Sequence, residues 1–239
     1  MNKGCFYGVG VGPGDPELIT LKALRLIQNA AVVSYLANDE GQSQARAIAC
    51  EAFDDVQVEQ IEIVINMPMS TDRRLANDAY DEGAEQIRQQ LDAGRDVVFL
   101  CEGDPLFFGS FAYLLERLQS DFECQVVPGI SSVHAASAAL QAPLTMLKES
   151  FVVVSGRHSD GQIRAALQQH DSVVIMKAGQ ARPRILALLE ETGRQNDARY
   201  LEYIGRENQR VEVAISSLAN EAGPYFSLFV ITRQERNSR

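Results

Sequence analysis

Two glycine-rich segments that carry carboxylates hold the densest chemistry in this sequence. The first, Gly8-Val9-Gly10-Val11-Gly12-Pro13-Gly14-Asp15-Pro16, joins an apolar run to a helical stretch. Its spacing is not the GxGxxG of a dinucleotide fingerprint: counting from Gly8 the sixth residue is Pro13, and from Gly10 the series reads GxGxG. No Gly-Lys-Ser/Thr follows, which excludes a phosphate-binding P-loop. Asp15 is placed to cap the next helix, with Pro16 at its first position and Glu17 behind it. Two carboxylates at that positive helix end would repel a phosphate. Two readings stay open: a tight turn without a ligand, or bare backbone that approaches a flat or phosphate-free ligand closely.

The second segment, Cys101-Glu102-Gly103-Asp104-Pro105-Leu106-Phe107-Phe108-Gly109-Ser110, follows the apolar run Asp96–Cys101. In open parallel sheets ligands sit beyond the carboxyl ends of strands, which is where this loop is expected. Asp104 and Ser110 could simply cap a turn and a helix. A glycine between two carboxylates, followed by two phenylalanines, is more than a turn requires and suits a cationic or hydroxyl-bearing ligand. A third segment, Val126-Val127-Pro128-Gly129-Ile130-Ser131-Ser132, enters an Ala-rich helix over Val133–Leu140. Its small side chains let a ligand or another domain pack against backbone, and Ser131 or Ser132 could cap it. His134 on that helix reads as a packing or hydrogen-bonded residue. Met176-Lys177-Ala178-Gly179 and Tyr203-Ile204-Gly205-Arg206-Glu207-Asn208-Gln209-Arg210 are weaker alone. Lys177 could be a solvated strand end, and Arg206 and Arg210 could pair with Glu207 or Glu202 at the surface. No Ser-His-Asp or Cys-His constellation is visible, so no catalytic residue is assigned.

Such loops need strands that end and helices that begin beside them. Apolar runs at Cys5–Val11, Ala31–Tyr35, Val56–Val64, Asp96–Cys101 and Cys124–Val127 read as strands. Helical stripes read over Glu17–Asn29 (Leu18, Leu21, Leu24, Ile27), Ser43–Ala52, Arg74–Leu91 and Phe111–Leu118. This alternation predicts a parallel sheet covered by helices. Beyond it, Phe151–Val154 and Val173–Met176 flank a helix near Gln162–Gln169, and Val211–Ile215 and Tyr225–Thr232 add two further strands. That pattern predicts a partly antiparallel second sheet. The fold class is α/β, with an N-terminal domain over 1–128, a C-terminal domain over 129–239 and a cleft between them. The Pro128–Gly129 pair marks the boundary.

Composition narrows the function. The 239 residues are 46% hydrophobic and 23% charged, proportions of an ordinary globular chain with material for a sizeable core. The net charge of −10 argues against a nucleic-acid binder or a protein of anionic membrane surfaces. All of the excess lies in residues 1–120, with 9 basic and 19 acidic side chains; residues 121–239 carry 13 of each. Cys5, Cys50, Cys101 and Cys124 form no CxxC pair and read as reduced thiols, mostly buried. His134, His158 and His170 lack metal-site spacing, so no metal is expected. No apolar run nears the ~20 residues of a membrane helix, and the N-terminal residues show no signal-type apolar region; a cytoplasmic protein is expected.

Taken in order, these segments resemble the tetrapyrrole methylase family, which uses S-adenosylmethionine. The resemblance rests on GVGVGPGDPELITLKALRLI, EGDPLFFGS, VPGISS, MKAG and YIGRENQRV, and it runs from Gly8 to Thr232. CEGDPLFFGSF, the Asn66–Asp72 segment NMPMSTD followed by Tyr80, and the ending PYFSLFVI resemble one branch. That branch methylates carbon 20 of a reduced tetrapyrrole, precorrin-2 or its cobalt counterpart, in corrin-ring (cobalamin) synthesis. The resemblance implies that Pro13, Gly103, Asp104, Phe107, Ser131, Ser132, Met176, Tyr203 and Ile204 hold the cofactor, folded between two domains. Asp15, Glu102, Lys177 and Arg206 are the expected substrate contacts, and a homodimer is expected. Two positions depart from relatives. Tyr35 is followed by Leu36 and Ala37 where uroporphyrinogen methylases carry an aspartate thought to assist proton removal, and Gly205 stands where C-20 methylases commonly carry an acidic residue.

The chemistry implied is one in-line methyl transfer to an electron-rich ring carbon, followed by proton loss. The protein mainly aligns the two carbons and excludes water, which can be worth ~7–11 kcal/mol. Other family members act at a different ring carbon or on a protein's diphthamide precursor. A reading of another class, a nicotinamide-dependent oxidoreductase using Gly8–Gly14, predicts NAD binding instead. Because the substrate carries eight carboxylates, basic groups are expected at the cleft and acidic ones on the outer faces.

Overall fold

The computed structural model describes residues 3–56, 59–68 and 72–233. The first five apolar runs become parallel strands: β1 (Phe6–Gly10), β2 (Val32–Ala37), β3 (Ile61–Asn66), β4 (Val97–Cys101) and β5 (Cys124–Val127). Their order in the sheet is β3-β2-β4-β1-β5. All five residues of β4 are buried, as a central parallel strand covered on both faces must be. Of the expected Val56–Val64 strand, residues 57–58 lie outside the described residues; Val56, Glu59 and Gln60 are not strand, and β3 runs later, from Ile61 to Asn66.

Right-handed crossovers decide which helix covers which face. Connections running from β1 toward β3 put α1 (Leu21–Asn29) and α2 (Gln44–Ile48) on one face, where Ala23, Ile27, Ala45 and Ile48 pack on Val9, Val33, Val98 and Leu100. Connections running back put α3 (Arg73–Asp92) and α4 (Phe111–Leu118) on the other, over Phe6, Val32 and Phe99. The α4 spacing of Phe111, Leu114 and Leu118 buries all three completely, each worth about 1.5–3 kcal/mol.

The helix expected over Glu17–Asn29 is divided. Asp15 caps a short 3-10 turn, Pro16–Leu18, by accepting from the Glu17 N–H at 2.9 Å. Thr20 then caps α1 by accepting from the Ala23 N–H at 3.2 Å. Restarting the helix rotates the stripe: Ala23 and Ile27 are buried, whereas Leu21 is 69% exposed. The Ser43–Ala52 stretch likewise ends early, with α2 passing into a 3-10 turn at Cys50–Phe53.

By its contacts the chain separates into two units, Met1–Ser131 and Ser132–Arg239. The second unit contains α5 (Ser132–Leu140), β6 (Phe151–Ser155), α6 (Asp160–Gln169), β7 (Ser172–Met176), α7 (Arg182–Glu191), β8 (Ala198–Glu202), β9 (Arg210–Glu212) and β10 (Ser227–Thr232). Its sheet has the order β6-β7-β10-β8-β9, with β6 and β7 parallel and every other neighbour antiparallel. The mixed sheet expected from sequence is present. Its core joins Ile163, Leu167, Val173, Ile175, Ile185, Leu189, Tyr200 and Phe229.

Candidate active site

The strand order of the first unit creates a switch point. β1 and β4 are neighbours, but the chain leaves β1 toward one edge and one face, and leaves β4 toward the other. Their chains therefore leave the sheet in opposite directions at its carboxyl ends, the usual ligand position in such sheets. The GPGDP loop follows β1, the EGDPLFFGS loop follows β4, and Pro128–Ser131 follows β5 on the far side of β1. Pro13, Asp15, Glu102, Gly103, Asp104, Phe107 and Ser131 all belong to these three loops. Ser132 opens α5, and Pro13 and Ser131 are buried.

Backbone crosses backbone here. The Gly12 and Gly103 peptides bond to each other, with the Gly103 N–H donating to the Gly12 carbonyl at 2.8 Å. A Cβ on Gly129 would lie 2.0 Å from the Gly103 carbonyl oxygen, and one on Gly10 would lie 2.6 Å from that same oxygen. The glycines at 10 and 129 thus let three loops pass in contact. Gly8 has a different reason, because its Cβ would enter the Phe111 ring at 2.6 Å. Asp104 fastens the crossing: one carboxylate oxygen accepts from the Gly129 N–H at 3.1 Å and the other from the Leu106 N–H at 3.0 Å. Gly103 itself holds a left-handed backbone (φ +64°), which favours glycine, and a Cβ there would meet Ser131 Cα at 3.7 Å and the Ile130 carbonyl oxygen at 3.8 Å. The phenylalanines form an edge-on pair, with ring centres 5.2 Å apart, and Phe108 holds a left-handed backbone (φ +57°). Such a backbone is an outlier for a bulky side chain.

The second unit repeats this gathering at one sheet edge. β6, β7 and β8 end on the same side, where β10 begins. Met176 ends β7 and Lys177 follows it, while Tyr203, Ile204 and Arg206 follow β8. Lys177 (φ +53°) and Tyr203 (φ +51°) are both left-handed. Non-glycine residues held this way cluster at ligand sites. The Tyr203 N–H donates to the Phe226 carbonyl at 2.9 Å, and the Arg206 guanidinium lies 4.1 Å from the centre of the Phe226 ring. The expected pairing of Arg210 with Glu207 or Glu202 gives way to other partners. Glu202 is buried and pairs with buried Arg182 at 3.5 Å, while Arg210 pairs with Glu212 at 2.6 Å. Gly205 donates its N–H to Gln209 Oε1 at 2.8 Å, so a side-chain amide occupies that backbone group. Phe226 was not singled out by residue type, and only its place beside Ser227 at the start of β10 signals it.

Other candidates fall outside these loops. Tyr35, the tyrosine of β2, donates to Glu62 Oε2 at 2.6 Å, and Arg46 Nε donates to the same oxygen at 3.1 Å. Burial and the Glu62 bond push the Tyr35 phenol up to about 12, so it stays protonated. Burial pushes the Glu62 carboxyl up, but the bonds from Arg46 and Tyr35 outweigh that and hold it below the ordinary range. Cys101 is buried, and desolvation raises its thiol far above a nucleophile's range. Cys5 is buried, Cys124 half-buried and Cys50 exposed; all four are free. His134 is exposed on α5. Among the described residues no group of His, Cys, Asp and Glu could hold a metal ion, and no helix is long and apolar enough to cross a membrane. Of the NMPMSTD segment, 69–71 lie outside the described residues.

Comparison with known proteins bears on this site. Residues 5–219 match the family model described as Tetrapyrrole (Corrin/Porphyrin) Methylases. The chain is 32% identical over 239 residues to a precorrin-2 C(20)-methyltransferase of Sinorhizobium sp., covering 97% of this chain and 96% of that protein. It is 36% identical over 244 residues to the cobalamin biosynthesis protein CobIJ of Mycobacterium tuberculosis, covering 99% of this chain. It spans about half (47%) of that longer relative. Among solved structures, the fold is shared with the uroporphyrin-III C-methyl transferase from Thermus thermophilus complexed with S-adenyl homocysteine. That likeness has a TM-score of 0.66 at 24% identity and covers 96% of this chain and 98% of the other.

Proposed function

The chain belongs to the tetrapyrrole (corrin/porphyrin) methylase family, and from that premise we propose that it transfers a methyl group from S-adenosylmethionine to carbon 20 of precorrin-2, or of its cobalt counterpart, in corrin-ring synthesis. The observation that carries this reading is the strand-switch point at the carboxyl ends of β1 and β4. Its loops carry Asp15 and Glu102, and it lacks any phosphate-binding arrangement. A glycine-rich loop without a phosphate-binding pattern suits S-adenosylmethionine, which bears cationic sulfonium and ammonium groups and no phosphate.

Gly103, Phe107, Pro13, Ser131 and Ser132 would hold the cofactor on the first unit, and Met176, Tyr203 and Ile204 on the second. When bound, S-adenosylmethionine supplies an electrophilic methyl group on a positively charged sulfur. Asp104 acts by position, because its carboxylate oxygens clasp the Gly129 and Leu106 N–H groups and fix the loop that presents Gly103. Lys177 and Arg206 are the basic side chains assigned to the acidic substrate, with Asp15 and Glu102 at its other contacts. A reduced tetrapyrrole is itself an electron-rich nucleophile, so the residues chiefly orient it and keep water away. The proton lost afterwards has no assigned acceptor. Tyr35 is unsuited to that role, being protonated and bonded to Glu62.

The same reading makes the protein a cytoplasmic homodimer that binds no nucleic acid, in keeping with its net charge of −10. Titration calorimetry tests the cofactor assignment. Binding of S-adenosylhomocysteine with no heat from NAD is expected, and NAD binding without S-adenosylhomocysteine binding would overturn it.

A further inference from the structure

Two adjacent arginines open α3, and they are neutralised differently. A cation at the first turn of a long helix faces the positive end of the helix dipole, so an arginine there needs a reason. Arg74 has one: Asp72 accepts from its Nε at 3.3 Å and from its terminal nitrogen at 3.0 Å. Arg73 has no carboxylate within ion-pair distance among the described residues. Its guanidinium instead lies 4.8 Å from the centre of the Tyr113 ring on α4. Tyr113 lies against buried Tyr80 of α3 with ring centres 5.0 Å apart, on the helix that begins directly after Ser110, the last residue of the EGDPLFFGS loop. On the far side of the pair, Arg117 approaches Tyr80 at 5.7 Å but is neutralised by Asp81 at 2.6 Å. The aromatic pair thus supports one guanidinium whose charge is left for a ligand.

Its place in the fold gives that charge a use. α3 begins beyond the carboxyl end of β3, at the same edge of the sheet as the loops after β1 and β4. The EGDPLFFGS loop, which leads into the helix that carries Tyr113, shows Leu106, 55% exposed, and Phe108, 40% exposed, an apolar surface at the same end of the sheet. A ligand matching both has a flat apolar face and an acidic rim. We propose that Arg73, seated on the Tyr80–Tyr113 pair, anchors a side-chain carboxylate of the acidic macrocycle and so helps to select it. This inference rests on the methyl-transfer reading above and names a substrate contact that the sequence motifs did not include.

Fluorescence titration with uroporphyrin III, a stable macrocycle with eight carboxylates, tests it beside steady-state kinetics with precorrin-2. Arg73→Gln is expected to weaken uroporphyrin binding and raise the KM for precorrin-2 by roughly tenfold, the loss of one charge-assisted contact. It should also flatten the salt dependence of both, with kcat and S-adenosylhomocysteine affinity kept. Arg73→Lys should retain part of the affinity, and Arg74→Gln all of it. Arg73→Gln with wild-type macrocycle affinity, KM and salt dependence overturns the anchor. A wild-type protein that shows the Arg73-dependent binding but methylates no precorrin-2 overturns the methyl-transfer reading while leaving the anchor standing.

Discussion

Residue identity at the loop crossing is dictated by contact between backbones. Gly129 is the sharpest case: no atom fits where its Cβ would stand, 2.0 Å from a carbonyl oxygen. Gly129→Ala must push the β4 and β5 loops apart, a strain of about 1–3 kcal/mol. A lower denaturant midpoint together with weaker S-adenosylhomocysteine binding is expected; an unchanged midpoint would contradict the crossing. The sequence pointed to these residues but not to their division of labour. Spacing alone showed that Gly8–Gly14 is no nucleotide fingerprint, because that argument depends only on residue order. Whether a given glycine serves a ligand or a neighbouring loop depends on strands distant in sequence. Asp104 illustrates this: expected as a cofactor contact, it has both carboxylate oxygens engaged by backbone N–H groups of two loops.

Elements were legible where their apolar pattern is pure. β4 and the α4 stripe stand close to where periodicity puts them, because β4 buries an unbroken apolar run and α4 buries Phe111, Leu114 and Leu118 on one face. β8 and α7 escaped notice for a physical reason. β8 reads Ala-Arg-Tyr-Leu-Glu, and its Glu202 is buried only because Arg182 of α7 meets it across the second unit's core. Neither charged residue signals burial until the other is in place. A comparable tie joins β2, β3 and α2 through Tyr35, Glu62 and Arg46, and its titration can be predicted. Because the folded Glu62 carboxyl lies below its ordinary value, its contribution is complete above about pH 4.3, the unfolded carboxyl's value, and is lost as pH falls through the folded one. Thermal melts should find Glu62→Gln less stable than wild type at neutral pH, with the gap closing below about pH 4. A gap that stays constant into acid would contradict the ionised pairing.

At the scale of the whole molecule, charge and family membership meet. Unit one, Met1–Ser131, holds 9 basic and 21 acidic residues, and unit two, Ser132–Arg239, holds 13 and 11. A polycarboxylate is repelled by the first balance and tolerated by the second. This is why the assigned substrate cations, Lys177 and Arg206, belong to unit two, and why Arg73 matters as a local exception in unit one. Net charge argues against a nucleic-acid role, yet it does not show where the cations stand, since that depends on which loops share a sheet edge. The central claim is methyl transfer to carbon 20 of the reduced tetrapyrrole. The direct test is to incubate the protein with precorrin-2 and S-adenosylmethionine carrying a carbon-13 methyl group, then locate the label by NMR. One labelled methyl on carbon 20 is the predicted result, and an unlabelled macrocycle or a label on any other ring carbon would contradict it.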